Sequence, residues 1–214
     1  MPFSDRRAAG RALARALAAY ARRDDVLVLA LPRGGVPVGF EVAQALQAPL
    51  DVFLVRKLGV PGHEELAMGA LASGGIRVVN RLVLDQLPDP RRTLDRVTAR
   101  EYAELERRER AYRGDAPPAD VKDRVVILVD DGLATGSTMR AAAAALRRRE
   151  PSRLIVAVPT AARSTTALVA TEVDEFVCLV VPDPFFAVGA SYADFSEVSD
   201  AEVTRLLAEA ASSS

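Results

Sequence analysis

Two adjacent carboxylates, Asp130 and Asp131, stand immediately after the apolar run Val125 to Val129, and Gly132 to Thr138 follows them with two glycines and three hydroxyl side chains. Backbone N–H groups in such a turn converge on one point, and the dipole of a following helix adds partial positive charge there; together they favour an anion such as phosphate. Thr135, Ser137 and Thr138 add hydroxyl donors. The acids would repel a phosphate that they faced, so they are expected to point the other way, towards vicinal hydroxyls, which donate well to carboxylate oxygens. A ribose 5-phosphate carries both features. The segment is not a Walker loop, because it lacks the Gly-Lys-Ser/Thr ending, and no G-x-G-x-x-G follows any apolar run. Capping of the turn alone would need one acid rather than two.

Other residues of chemical interest sit at comparable places. Pro32-Arg33-Gly34-Gly35 ends the apolar run Val26 to Leu31 abruptly, and as a bare strand-to-helix turn it is equally well explained. Arg56-Lys57 opens a glycine-bearing stretch containing His63, the sole histidine, beside Glu64 and Glu65. A lone histidine brings no orienting partner, so a solvated loop residue is its first reading. Aromatic residues make up only 5% of the chain, which draws attention to Phe185-Phe186, either a stacking surface for a planar ring or ordinary core.

These residues need elements to position them. The hydropathy pattern predicts a helix from Ser4 or Asp5 to about Arg23, a strand over Val26 to Leu31, a helix over Val36 to Gln47 and a strand over Leu50 to Val55. From Arg56 to Gly75 periodicity is lost and a long loop is expected, with short strands at Leu66 to Leu71 and Ile76 to Val79. Asp89 to Arg113 carries Glu104/Arg108 and Glu106/Arg110 at i,i+4 spacing and reads as a solvated helix, which Gly114 to Asp120 ends. Strand Arg124 to Val129, helix Gly136 to Arg149, strand Leu154 to Val158, helix Ser164 to Thr171 and strand Glu175 to Val181 complete the alternation. The fold class is α/β: a mainly parallel sheet with helices on both faces, whose ligands bind at the carboxyl ends of the strands.

Composition excludes several classes. With 28 basic and 29 acidic residues in 214, the net charge of -1 offers no global drive towards nucleic acid or an anionic membrane. No stretch reaches the roughly 18 apolar residues of a membrane span, and the amino terminus lacks a signal-peptide core. The single cysteine, Cys178, forms no internal disulfide, which fits a reduced, cytoplasmic setting.

The string VILVDDGLATGST, Val126 to Thr138, resembles the phosphoribosyl pyrophosphate (PRPP) signature of the type I phosphoribosyltransferase family, and the order of elements around it fits that family over most of the chain. The resemblance implies one phosphoribosyltransferase domain over 1–214, with a mobile loop at about 58–75 and a hood over the acceptor at about 181–195. It implies that Asp130 and Asp131 hold the ribose hydroxyls and that Ala134, Thr135, Gly136, Ser137 and Thr138 hold the 5-phosphate. Arg33, Gly34 and Gly35 resemble the family's pyrophosphate loop, and Arg56-Lys57 resembles the Arg-Lys before the catalytic loop of adenine and orotate members. A loop with Gly59, Gly62 and Gly69 could close over a charged substrate and exclude water. Asp130, Asp131, Arg33 and Lys57 are the implied catalytic set, Mg2+ bridged through PRPP is the implied cofactor, and a homodimer is the family habit. Hypoxanthine/guanine members carry an aspartate where this chain has Ala134, so a general base, if needed, falls to Glu64 or Glu65. Phe185 and Phe186 are the candidate base-binding pair. The whole chain resembles a bacterial group sharing Pro-Arg-Gly-Gly, Arg-Lys-Leu-Gly and Pro-Asp-Pro-Phe, whose acceptor is unassigned. The implied reaction moves the 5-phosphoribosyl group between PRPP and a nitrogen acceptor, a nucleobase or similar heterocycle. A PRPP- or nucleotide-sensing regulator on the same fold is the alternative. A response-regulator-like phosphoacceptor would leave the glycine, threonine and serine run without a purpose.

Overall fold

The computed structural model describes residues 3–114 and 116–212. Its frame is a five-stranded parallel sheet of β1 (Val26–Ala30), β2 (Leu50–Val52), β6 (Val125–Val129), β7 (Arg153–Thr160) and β8 (Glu175–Val180), in the order β2-β1-β6-β7-β8. Val26 lies opposite Val125 and Ala30 opposite Val129, so β1 and β6 end level with each other. That register is why the loops after these two strands share one site.

Continuous apolar runs form β1 and β6 because both faces of this sheet are covered. On one face Val26, Val28, Ile127, Val129 and Ile155 pack against α1 (Arg6–Ala16) and α2 (Gly35–Leu46). On the other, Leu27, Leu29, Val126, Leu128 and Val156 pack against α5 (Ser137–Arg147) and Val169 of α6 (Arg163–Ala170). The alanines of α5 leave little side-chain bulk between helix and sheet, and Ala142, Ala143 and Ala145 are buried there. None of the helices is long and apolar enough, among the described residues, to cross a membrane.

A second sheet corrects the expected loop. Arg56 to Gly75 is not one long loop: β3 (Val55–Val60) and β4 (His63–Ala72) form an antiparallel hairpin and β5 (Ile76–Val79) adds a third strand, so the short strands expected at Leu66 to Leu71 and Ile76 to Val79 are present, the first inside the longer β4. Its signal is obscured in the sequence because both faces carry apolar residues, so no clean alternation survives. Leu58, Val60, Met68 and Leu71 face a third cluster with Leu94, Val97 and Leu105 of α4 (Pro90–Arg113) and Leu206 of α7 (Asp200–Ser212). The register also shifts on either side of Gly59, where an added Cβ would lie 2.7 Å from the Glu64 carbonyl oxygen. The expected strand Leu50 to Val55 is divided in consequence: β2 stops at Val52, and Val55 already belongs to the second sheet. A short α3 (Arg81–Leu84) precedes α4.

The first helix also ends earlier than expected, at Ala16 rather than about Arg23, and a 3-10 turn over Ala18–Tyr20 replaces its last part. Asp5 is its N-cap, accepting from the Ala8 N–H at 2.7 Å. This brings Arg6, the first helical residue, to the carboxyl edge of β6.

Candidate active site at the carboxyl ends of the first and sixth strands

The loop after β1 and the loop after β6 interlock. Leu31 N–H donates to the Val129 carbonyl at 2.9 Å, extending the ladder past the named strands. A Cβ on Gly34 would stand 2.0 Å from Asp131 Oδ2, and one on Gly35 would stand 2.9 Å from both Asp130 Cα and the Val129 carbonyl oxygen. Neither position has room for a side chain. The Pro-Arg-Gly-Gly motif is therefore more than a generic turn: its glycines let one backbone rest directly on the acid pair.

The two acids differ in their surroundings. Asp130 Oδ1 accepts the Asp131 N–H at 2.8 Å. Burial, and next the negative charge of Asp131, push the Asp130 carboxyl well above the ordinary aspartate range. Burial also pushes Asp131 up, but Arg6 opposes it through a hydrogen bond and its charge. Arg6 Nε lies 2.8 Å from Asp131 Oδ2, and both side chains are largely buried. The Tyr192 hydroxyl donates to the Asp131 carbonyl.

Beyond the acids, Gly132 is packed tightly enough that a Cβ would meet Val188 and Thr160 at 2.5 and 2.8 Å. Leu133 is stitched to the neighbouring strand end, its N–H donating to Thr160 O at 3.0 Å and its carbonyl accepting from Ala162 N–H at 2.9 Å. Gly136, with φ +70, is the left-handed N-cap of α5, and the Thr165 hydroxyl donates to the Ala134 carbonyl beneath it. A non-glycine residue at Gly136 would combine backbone strain with a 2.5 Å approach to Thr165 Cγ2. Ala134, Thr135, Ser137 and Thr138 stay exposed around this buried glycine, with Thr135 Oγ1 and Ser137 Oγ 3.2 Å apart. The rim is thus held from below and open above, and the first N–H groups of α5 lie at the opening, as an anion site requires.

The basic residues separate. Arg33, half-exposed, makes an ion pair with Glu197 and lies 3.9 Å from Asp200. Arg56 and Lys57, expected to act together on pyrophosphate, leave β3 on opposite faces, as adjacent strand residues must. Arg56 is bound to Glu101 of α4 at 2.7 Å, and Arg100 shares that carboxylate. Lys57 instead lines a cavity of about 560 Å³ together with Ser137, Thr138 and Arg140, with Glu65 3.5 Å away. Arg56 therefore joins the second sheet to α4, and Lys57 alone of the pair shares a cavity with the start of α5.

His63, Glu64 and Glu65 are exposed at the start of β4, and Glu64 accepts from the Gly62 N–H at 3.2 Å. Phe185 is half-buried, whereas Phe186 is 82% exposed, so the reading of both rings as core does not hold. Sequence reasoning missed Arg6 and Phe195. The Arg6 guanidinium lies 3.8 Å from the centre of the Phe195 ring, and Tyr192 packs between Phe195 and Phe3. An arginine that starts a helix 125 positions from its aspartate carries no local signal; only the fold pairs them.

Among the described residues no group of three or more His, Cys, Asp or Glu side chains gathers as a metal cage. Asp130 fits a magnesium ion that takes few protein carboxylates and finds its other ligands on water and substrate: it makes no ion pair among the described residues, and burial disfavours its charge.

The family model described as "Phosphoribosyl transferase domain" matches residues 5–194. A Mycobacterium tuberculosis protein named "Putative phosphoribosyl transferase" is 44% identical over 205 residues, which are 96% of this chain and 46% of that protein. The chain thus spans about half the length of the curated relatives it matches. The crystal structure of TT1426 from Thermus thermophilus shares 44% identity at a TM-score of 0.87, covering 98% of this chain and 99% of that one. With a family model that matches residues 5–194 and a relative of 44% identity along nearly its whole length, the chain belongs to the phosphoribosyl transferase family.

Proposed function

We propose that the protein transfers the 5-phosphoribosyl group between PRPP and a nitrogen acceptor, a nucleobase or similar heterocycle, with release of pyrophosphate. The observation that carries this reading is the contact of Gly34 and Gly35 with Asp131 and Asp130. It brings the Gly34-Gly35 backbone, which this reading takes as the pyrophosphate loop, against the acids that would hold a ribose.

In this reaction the bond from the anomeric carbon to the pyrophosphate oxygen breaks and a bond to the acceptor nitrogen forms, through a sugar carrying partial positive charge, by analogy with glycoside chemistry. Asp130 and Asp131 bind the ribose hydroxyls and place negative charge near that sugar. The open rim at Ala134 to Thr138, with the first N–H groups of α5, binds the 5-phosphate and fixes the other end of the substrate. Arg33 and the backbone at Gly34 and Gly35 receive pyrophosphate, and Lys57 adds positive charge beside Ser137 and Thr138. Magnesium arriving with PRPP would neutralise charge on the leaving group, and Asp130, rather than the Arg6-bound Asp131, is the carboxylate that could hold it. Phe186, exposed beyond the last strand, is the ring that this reading assigns to stacking on a planar acceptor. A homodimer in the cytoplasm accompanies this reading as the family's habit.

Calorimetric titration with Mg-PRPP tests the donor half. The wild type is expected to bind, and Asp130→Asn/Asp131→Asn is expected to lose that binding while staying folded; undiminished binding by the variant would refute the ribose contacts. Pyrophosphate release triggered by one member of a panel of heterocycles would then identify the acceptor. PRPP binding with no turnover on any of them would favour a sensor.

A further inference from the structure

We propose that Arg6 is a positioning residue for the ribose-binding acid: it clamps the Asp131 carboxylate to the segment that follows the last strand. This inference rests on the reading of Asp131 as a ribose ligand.

Three contacts converge on one guanidinium. Nε donates to Asp131 Oδ2 at 2.8 Å, Nη1 donates to the Ser196 carbonyl at 2.7 Å, and the carbon between them sits 3.8 Å from the Phe195 ring centre. The side chains of Arg6 and Asp131 are 11% and 14% exposed, so the pair is shielded from water as surface ion pairs are not. Gly34 packs against the same Asp131 Oδ2, and the Asp131 carbonyl accepts from Tyr192. Tyr192 stacks on Phe195, which closes a ring of contacts from Arg6 through residues 192–196 back to Asp131.

That ring leaves the carboxylate little rotational freedom. An aspartate that must accept from a ribose hydroxyl gains from being fixed beforehand, because less freedom is lost on binding. The guanidinium matters as well as the charge. Its planar fork reaches Asp131 and Ser196 at once while its face lies on Phe195; a lysine ammonium could keep one contact, but not the set.

The test compares wild type, Arg6→Ala, Arg6→Lys, Asp131→Asn and Arg6→Ala/Asp131→Asn by calorimetry with Mg-PRPP and, separately, with magnesium pyrophosphate, alongside thermal unfolding. Arg6→Ala is expected to weaken PRPP roughly 10- to 100-fold, the range for losing hydrogen bonds to a charged group, while pyrophosphate affinity changes less than about twofold. Arg6→Lys is expected to fall between. In the Asp131→Asn background, Arg6→Ala should have little further effect, since the two act as one unit. A general loosening of the fold would instead weaken both ligands together, and that result overturns the proposal. Equal PRPP binding by wild type and Arg6→Ala overturns it too. If Arg6→Ala does not fold, the PRPP-selective loss in Arg6→Lys decides between the same outcomes. Wild type that binds no PRPP refutes the donor assignment and this inference with it, whereas wild-type binding that Arg6 substitutions leave untouched refutes the clamp alone.

Discussion

The strand-end loops after β1 and β6 and the hairpin of β3 and β4 each carry glycines and charged residues, yet they use them in opposite ways. At the strand ends, Gly34, Gly35, Gly132 and Gly136 are closed in by backbone and side chains of neighbouring elements. At the hairpin turn Gly62 has no atom within 4 Å of where a Cβ would stand; its φ of +81 is a demand of the turn alone. Charges follow the same division. Asp130 and Asp131 are shielded and shifted by their surroundings, whereas His63, Glu64 and Glu65 stand in solvent. A rigid, over-determined site and a peripheral arm require different kinds of substitution to disturb them.

The largest contrast should come from glycine itself. Gly35→Ala forces a methyl against the Asp130 backbone and the Val129 carbonyl, neither of which can rotate away. It is expected to cost about 1–3 kcal/mol, typical of overpacking, and to weaken Mg-PRPP more than roughly 100-fold as the acid pair is displaced. Gly62→Ala should cost about 1 kcal/mol from left-handed strain and leave PRPP affinity unchanged. Urea unfolding and calorimetry measure both; equal ligand losses from the two variants would erase the distinction.

Asp130→Asn sharpens it by separating stability from binding. The folded protein holds the Asp130 carboxyl above the ordinary aspartate range, so the native state binds that proton more tightly than the unfolded chain. The corresponding stability is fully present below the ordinary aspartate pKa of about 4 and is lost as pH rises through the elevated folded value. Asparagine has no such proton to lose. Without ligand or metal, the variant should melt above wild type at neutral pH, with the gap narrowing towards pH 4, and it should bind Mg-PRPP roughly 10- to 100-fold more weakly. A variant less stable than wild type at pH 7 would contradict the burial of an uncompensated charge.

What was legible in the sequence follows the same division. Continuous apolar runs such as Val26 to Leu31 and Val125 to Val129 form the buried parallel strands expected of them, and the residues at their ends are fixed by chain adjacency, so the strand-end placement of Asp130, Asp131 and the glycine-bearing loop after them could be read directly. Of the second sheet only Leu66 to Leu71, inside β4, and Ile76 to Val79, which is β5, could be read; β3 and the hairpin could not. With Leu58, Val60, Met68 and Leu71 facing α4 while Val55, Ala70 and Val78 face the cavity beside α5, β3 to β5 lack the polar face that reveals a strand. That also hid the parting of Arg56 from Lys57. Arg6 and Phe195 were illegible for another reason: their roles arise from a meeting of both ends of the chain, which no window of sequence contains.

A pair of single substitutions in β3 asks how far the arm serves the site. Lys57→Ala should weaken PRPP about 10-fold, the scale of one charge-assisted contact, with little change in stability. Arg56→Ala should do the reverse. It leaves Glu101, whose side chain is 9% exposed, with Arg100 as its remaining partner, and is expected to cost about 1 kcal/mol while PRPP affinity holds within about twofold. If Arg56→Ala proves the more damaging to binding, the arm rearranges when ligand arrives and the opposite-face assignment fails.

The smallest expected effect concerns Arg33, which ties the site to the exposed carboxylates Glu197 and Asp200. Glu197 and Asp200, whose side chains are 78% and 62% exposed, occupy its guanidinium. An arriving pyrophosphate must displace or share these carboxylates, and exposed pairs of this kind contribute only about 0–1 kcal/mol. Glu197→Ala should therefore leave the melting temperature nearly unchanged and tighten pyrophosphate about two- to fivefold, with the gain shrinking as salt screens the original pair. Weaker pyrophosphate binding in that variant would mean that Glu197 holds Arg33 in its receiving position, which would place Arg33 with Asp131 among the residues that need a clamp to work.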